Sequence, residues 1–324
     1  MTEIKIDKTN AGQRLDKLLL KYLNRSGKAF VYKMLRKKNI KLNGKKAEGN
    51  EILAENDIIA LYLADETIEK FRAETVIKRT EKKPAIIYED ENILAANKPA
   101  GLLVQGDKNE SAENLNDMLL SYLKEKNEIP PMYKPGVANR LDRNTGGIVL
   151  MAKNLAAAQA LALAFKENTI EKHYICAVKG SIDKSGEISG WHSKDSENKV
   201  LITSEEREGA AYVKTQYRPV CKGDEYTVLD VKLITGKSHQ IRESFELIGH
   251  PVVGDPKYGD RETNVFFKRE FGLNHQLLYA VQVKFSFKEG ILAYLDQKEI
   301  KCVPDRKAAA ALKYIKAKKE NKIW

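Results

Sequence analysis

Asn139-Arg140-Leu141-Asp142-Arg143-Asn144-Thr145-Gly146-Gly147 runs directly into Ile148-Val149-Leu150-Met151. A charged turn that ends in two glycines and feeds an apolar strand can hold a carboxylate at the wall of a cleft. Taken alone, Asp142 reads equally well as a turn-capping or salt-bridged aspartate. The tripeptide Arg-Leu-Asp also occurs at residues 14–16, at the start of a helical pattern, so the three letters by themselves decide nothing.

Three other stretches accompany the central one, in a fixed order. Before it comes Lys98-Pro99-Ala100-Gly101-Leu102-Leu103-Val104, which follows a strand at 93–97. After it comes Lys172-His173-Tyr174-Ile175, continuing to Ala177-Val178-Lys179-Gly180. Last is Thr235-Gly236-Lys237-Ser238-His239-Gln240-Ile241-Arg242, continuing to Gly249-His250-Pro251-Val252-Val253-Gly254-Asp255-Pro256-Lys257-Tyr258-Gly259. Strand signals dominate from residue 86 to about 303, with helices near 112–124, 155–167 and 240–248.

The N-terminal part is built differently. Leu15, Leu18, Leu19, Tyr22 and Leu23 recur at helical spacing. A second helix is expected after Ser26 as N-cap, with Phe30, Val31, Met34 and Leu35 inward. Asn43-Gly44 then signals a tight hairpin, and alternation returns at 57–63. From Arg14 to Lys46 there are twelve Lys and Arg against one acid, Asp16. Arg25, Lys28, Lys33, Arg36, Lys37 and Lys38 crowd the second helix, leaving one basic face. Residues 65–85 are charged, lack periodicity and read as a linker. Residues 305–324 hold seven Lys and Arg and read as a basic tail helix, partly ordered only when RNA is bound.

Composition sets the outer bounds. The 324 residues carry 56 Lys and Arg against 45 Asp and Glu, a formal net charge of +11. Such a chain is suited to meeting a polyanion. Cys176, Cys221 and Cys302 are far apart, which argues against a zinc ribbon or a disulfide framework and suits a reducing cytoplasm. No signal-peptide core and no run of about 18 apolar residues is present, so no membrane partner is expected. His173, His192, His239, His250 and His275 show no metal-ligand spacing, and no metal is expected. His239 and His250 read as structural, Trp191-His192 as a surface insertion and the 254–259 run as scaffold.

Together the four ordered stretches resemble the RluA-type pseudouridine synthases. Residues 12–63 resemble a ribosomal-protein-like RNA-binding module appended to many RNA-modifying enzymes. The resemblance implies an α+β chain: residues 1–64 an RNA-binding module of two helices on a small sheet, 65–85 a linker, 86–304 a catalytic domain with a bent, mixed, largely antiparallel sheet, and 305–324 the tail helix. It implies isomerisation of uridine in RNA, with large-subunit ribosomal RNA the first expectation and transfer RNA a second. The N1–C1′ bond breaks, the uracil turns and C5 joins C1′, so neither cofactor nor metal is called for.

Asp142 is implied as the essential carboxylate, attacking C1′, adding to C6 or removing a sugar proton. It must be ionised at neutral pH, so a neighbouring cation is expected, and Arg242 is the matching residue. Tyr174 matches the family's active-site tyrosine, and Arg140 the residue that enters the RNA to help displace the base. The chain departs from the family at Asn139 for His, Gly146 for Ser, Lys237-Ser238 for Arg-Thr, Glu243-Ser244 for Val-His, and Tyr279 for His. The competing readings are a non-catalytic RNA-binding assembly factor and a carboxylate-pair glycosidic hydrolase, for which Glu243 is the candidate second acid. A monomer is expected by default.

Overall fold

The computed structural model describes residues 1–73, 77–106, 113–130, 132–194, 200–203, 205–206 and 209–320. The N-terminal unit opens with β1 (Thr2–Lys5), α1 (Leu15–Tyr22) and α2 (Lys28–Arg36), followed by β2 (Ile40–Leu42), β3 (Lys45–Lys46), β4 (Ile58–Leu61) and α3 (Asp65–Phe71). The strands form an antiparallel sheet in the order β1-β4-β2-β3. Leu15, Leu18, Leu19, Tyr22 and Leu23 of the first helical pattern are all buried, with Val31, Met34 and Leu35 of the second. Asn43 and Gly44 both take positive φ, 50° and 74°. That is the geometry a two-residue hairpin between twisted strands requires.

Two local expectations are corrected here. The N-cap of α2 is Gly27, without a side-chain cap, while the Ser26 hydroxyl lies buried and unpartnered. Part of the expected linker is the helix α3, whose Ile68 joins the module's core and whose Phe71 ring lies 4.2 Å from Phe30. Phe30 needs an apolar cover that the first 64 residues do not supply, and burying two rings offsets the weak periodicity of the segment. Residues 74–76 of the expected linker and 321–324 of the tail lie outside the described residues.

The second unit starts with β5 (Ile86–Glu89) and β6 (Ile93–Lys98), then α4 (Leu115–Glu125), β7 (Gly136–Val137), β8 (Gly146–Ala152) and α5 (Leu155–Glu167). β9 (Ile170–Lys179), β10 (Gly186–Lys194), β11 (Val200–Thr203), β12 (Ala211–Cys221) and β13 (Tyr226–Leu233) follow, then α6 (Gln240–Leu247), α7 (Arg261–Phe271), β14 (Leu278–Phe285), β15 (Glu299–Lys301) and α8 (Arg306–Glu320). The strand order is β11-β10-β12-β13-β9-β14-β8-β6-β5, with β15 on β14 and β7 on β8. Among these pairings only β14 with β8 is parallel.

All seven residues of β8 are buried. Ile148, Leu150 and Ala152 pack with Ala157, Leu161 and Ala164 of α5 on one face, and Val149 and Met151 with α4 on the other. A strand covered on both faces reads as a continuous apolar run, which is the pattern at 146–152. The parallel contact between β8 and β14 depends on two glycines. A Cβ on Gly147 (φ 115°) would sit 2.2 Å from the Ala280 carbonyl oxygen. One on Gly146 would sit 2.3 Å from the Tyr279 ring.

Two further expectations change in this unit. Trp191-His192 lies in β10, paired with β11 and β12, and His192 is buried. The tail helix α8 docks on the domain through Ala308, Ala311, Leu312 and Ile315 beside Phe267. Its alanine run gives a smooth face that packs closely on α7, so α8 belongs to this unit's core instead of standing apart from it. Asp305 accepts bonds from the Lys307 and Ala308 amides at 2.9 and 3.0 Å, capping the helix start, and also accepts from the Tyr279 hydroxyl.

Candidate active site

The two copies of Arg-Leu-Asp meet different fates. At residues 14–16 the Arg14 guanidinium grips Asp16 through two 3.0 Å bonds, and Tyr32 donates a third at 2.8 Å. That aspartate is fully engaged at a helix start. At residues 140–142 the arginine turns out to solvent, while Asp142 stays part-exposed in a cleft of about 650 Å³. Tyr174, His239, Arg242 and Arg140 also line this cleft.

The loop that carries Asp142 is pinned along its length. Asn139 accepts from the Leu150 amide at 2.8 Å and donates to the Ile148 carbonyl at 3.3 Å, locking the loop's entry to β8. An amide side chain performs this strand-pairing task directly, which accounts for an asparagine at 139. The Thr145 amide donates to the Asp142 carbonyl at 3.1 Å. Its hydroxyl accepts from Gln276 at 3.0 Å. The Arg143 carbonyl accepts from the Gly101 amide at 2.9 Å and from Lys98 Nζ at 2.8 Å.

Lys98 itself is fully buried and donates also to the Pro99 and Leu102 carbonyls, at 3.0 and 2.7 Å. Burial pulls its amine down to about 7, against the opposing pull of Asp142. Three carbonyl acceptors match the three ammonium donors, so Lys98 joins the first signature stretch to the third residue of the loop's Leu-Asp-Arg run.

Arg242 reaches Asp142 from the other half of the sheet. Its Nη1 donates to Asp142 Oδ2 at 3.1 Å, while Nε and Nη2 hold both oxygens of Asp255 at 2.6 and 2.8 Å. Asp255 is completely buried, and its Oδ1 also accepts from the Lys257 and Tyr258 amides at 2.9 and 3.1 Å. Burial would raise the Asp255 carboxyl, but Arg242 and those amides outweigh it and hold it below the usual range. Burial likewise opposes the Arg242 charge, and Asp255 and Asp142 outweigh it. The planar fork is fixed by Asp255 and leaves one edge for Asp142. Ile241 and Phe245 anchor α6 in the core, whereas Ile248 caps the helix end and is exposed.

Tyr174 stands on β9, where alternation puts it on the face shared with Ile241 and Phe245. Burial, then the Asp142 charge, raises its hydroxyl well above the ordinary tyrosine range, so it stays protonated. Glu243, the candidate second acid, is buried, accepts from the Tyr258 hydroxyl at 2.6 Å and does not line the cleft. The geometry therefore supplies one cleft carboxylate, against the two a glycosidic hydrolase needs. Arg25, Lys28, Lys33, Arg36, Lys37 and Lys38 are all exposed on the N-terminal unit, away from this cleft's lining. Among the described residues no group of three or more His, Cys, Asp or Glu is placed to hold a metal ion. Nor is any helix among them long and apolar enough to cross a membrane.

Sequence reasoning missed Asp255 by treating residues 254–259 as scaffold. The available signal was an acid heading a tight turn, where the next two amides can cap it. It also left the departures at 146 and 279 separate, though they are one steric unit. The Tyr279 ring fills the space that a side chain at 146 would need, and its hydroxyl is tied to Asp305. Gly146→Ser is expected to destabilise the chain by about 1–3 kcal/mol through overpacking. In a Tyr279→Ala background most of that cost should vanish, which a double-mutant cycle by denaturant unfolding would read. Equal costs in both backgrounds would contradict the steric account.

Comparison with known proteins agrees with the geometry. Residues 92–247 match the family model described as RNA pseudouridylate synthase. The chain is 29% identical over 289 residues to "Ribosomal large subunit pseudouridine synthase C" of Vibrio vulnificus, covering 87% of this chain and 88% of that protein. It is 31% identical over 261 residues to an "Uncharacterized RNA pseudouridine synthase" of Aquifex aeolicus, covering 78% and 79%. In fold it is similar to human RNA Pseudouridylate Synthase Domain Containing 4, with a TM-score of 0.56 at 21% identity over 71% of this chain and 92% of that one. A cleft built from both halves of one mixed sheet and relatives matched over most of their length lead to one conclusion: the chain belongs to the RNA pseudouridine synthase family and is an isomerase.

Proposed function

We propose that this enzyme isomerises uridines of large-subunit ribosomal RNA, with Asp142 as the reacting carboxylate, Arg242 as its clamp and Tyr174 as the ring against the uracil. The observation that carries the reading is the chain Asp255–Arg242–Asp142, which ends in a part-exposed carboxylate beside a buried tyrosine. A guanidinium already satisfied by Asp255 keeps Asp142 oriented without neutralising it by a second strong bond. Tyr174 offers an aromatic wall and a hydroxyl that keeps its proton. The ribosomal substrate is supported by the name of the Vibrio relative and by the basic N-terminal face; transfer RNA is the second substrate to test.

In this reading residues 1–64 with α3 bind RNA, residues 86–304 perform the chemistry and the tail helix braces the domain. Arg140, exposed at the rim, enters the RNA as the target base leaves its stack, a step costing a few kcal/mol. Incubating unmodified ribosomal RNA transcripts with the enzyme and mapping pseudouridine by chemical labelling and primer extension tests the activity and reveals its positions together. Labelling on transfer RNA alone would reject the ribosomal substrate, and none on either RNA would reject the reading.

The basic face makes a separate prediction. Changing Lys33, Arg36, Lys37 and Lys38 to serine should weaken RNA binding and flatten its salt dependence. Each lost phosphate contact lowers the log–log slope by about 0.7–0.9. Titrations at several salt concentrations would measure this, and an unchanged slope would assign that face to another partner.

A further inference from the structure

Behind Arg242 runs a second line of polar groups that the proposed chemistry has not used. His239 Nε2 lies 3.8 Å from Asp142 Oδ2, at the cleft, beyond hydrogen-bond distance. His239 Nδ1 lies 3.1 Å from the Tyr258 hydroxyl, and that hydroxyl is 2.6 Å from Glu243 Oε1. The other oxygen of Glu243 is buried without a hydrogen-bond partner and lies 3.7 Å from His192 Nε2. Glu243 stands at a position where the chain departs from the family pattern, so this line belongs to this sequence.

The direction of these bonds fixes the imidazole tautomer. Tyr258 has one proton. With Glu243 ionised, that proton goes to the carboxylate, and the tyrosine oxygen can only accept from Nδ1–H of His239. Neutral His239 then presents the bare lone pair of Nε2 to the cleft. The residue is held there at φ 59°, a backbone region a bulky side chain seldom adopts. His192 supports the same loop, its Nε2 donating to the Ser238 carbonyl at 3.1 Å.

Pseudouridine formation requires such a base whichever way Asp142 acts. Once C5 has joined C1′, C5 is tetrahedral and still carries its hydrogen, and N1 is doubly bonded to C6 where Asp142 has not added there. We propose that His239 takes that C5 proton, and that Tyr258 and Glu243 form the relay that receives the proton displaced from its Nδ1. This rests on the function proposed above.

The C5–H pair becomes the C5=C6 bond, and the former C6=N1 pair moves to N1, which takes a proton from water. Nδ1 passes its proton to the Tyr258 oxygen as the Tyr258 proton passes to Glu243. Afterwards the relay runs back: Glu243 returns its proton to Tyr258, Tyr258 returns one to Nδ1, and Nε2 releases to the cleft the proton taken from C5, neutralising the hydroxide left by the water. The net change is one hydrogen moved from C5 to N1, with no oxidant or reductant. Tyr174 is unsuited to the task because it holds its own proton firmly.

The groups that face Glu243 are Tyr258 and Lys257 from the turn, Arg242 and Glu246 from α6, and His192 from β10. Burial raises its carboxyl to about 7, against Tyr258, Lys257 and Arg242. Burial also lowers His239, with Asp142 and Asp255 opposing and Arg242 and Lys257 assisting, which favours its neutral form. Below about pH 7 Glu243 therefore holds a proton, the bonds reverse, and Nε2 carries hydrogen. The rate should fall as pH drops through that value.

The test uses full-length enzyme and ribosomal RNA transcripts made with ordinary or C5-deuterated uridine, followed under single turnover. Asparagine tolerates the positive φ at 239, so His239→Asn is expected to fold and bind RNA. It should slow product formation about 100-fold or more. It should also show a primary isotope effect larger than the unaltered enzyme's, because C5–H cleavage becomes limiting. Tyr258→Phe keeps the ring beside Arg242, and with Glu243→Gln it should lose the acidic limb near pH 7. A slow His239→Asn enzyme with an unchanged isotope effect, or one of undiminished rate, overturns the relay. Retention of the acidic limb in both relay variants also overturns it. An unaltered enzyme that forms no pseudouridine sinks the proposed function, and the relay with it.

Discussion

The Asp142→Asn enzyme is expected to lose pseudouridine formation by about 10⁴-fold or more, the scale seen when a group at the centre of a covalent or proton-transfer step is removed. Folding should change little. Asp142 makes one 3.1 Å bond to Arg242, and an asparagine oxygen of the same shape can accept it. Arg242 keeps both bonds to Asp255. A stability loss of about 1–2 kcal/mol is the most that a single part-exposed charged hydrogen bond warrants. RNA affinity should also persist, because the exposed lysines and arginines of the N-terminal unit are untouched. Pseudouridine mapping, denaturant unfolding and RNA titration on the same preparation separate these effects. Turnover within tenfold of the unaltered enzyme would remove Asp142 from the reaction.

Arg242→Met should combine loss of activity with a large loss of stability. Asp255 is completely buried, and without the guanidinium it retains only the Lys257 and Tyr258 amides. Breaking one side of a buried pair typically costs about 3–5 kcal/mol. The sign of its pH dependence follows. In the unaltered chain the Asp255 carboxyl is depressed, so its contribution is present above the unfolded value and is lost as pH falls through the folded one. In the variant the uncompensated charge makes the penalty greatest at neutral pH, and protonation relieves it towards acid. Adding Asp255→Leu should recover stability but not activity, because Asp142 still lacks its clamp. Unfolding curves at pH 7 and pH 5 would read this. A single variant as stable as the parent at neutral pH would mean that the pair does not brace the site.

The pairing of Gly146 with Tyr279 shows how a departure from a family pattern becomes legible only in three dimensions. The positions are 133 residues apart (279 minus 146), yet they lie side by side in register where β8 meets β14. Neither a glycine for a serine nor a tyrosine for a histidine signals the other in the sequence. The aromatic ring claims the space of the missing side chain, and its hydroxyl then anchors the start of the tail helix.

By itself the sequence determined the local elements and singled out Asp142 as the candidate reacting group. Period and turn chemistry suffice where a segment's environment is repetitive: the leucine spacing of α1, the Asn43-Gly44 hairpin and the doubly buried β8 were all readable from residue type. The nine-residue turn around Asp142, with its three ordered companions, was specific enough to distinguish it from the copy at Asp16. Tertiary structure decided the environment of the charges. Asp255, His239, Tyr258 and Glu243 are common residue types in an ordinary turn and helix start. Only the fold brings them, with Arg242, behind one cleft and removes enough water for their bond directions to matter. The helix α3 was missed for the same reason, since its stability comes from covering Phe30 and not from its own pattern. Periodicity reports which face of a segment is buried, whereas the choice of partner across that face is made by segments far away in the chain.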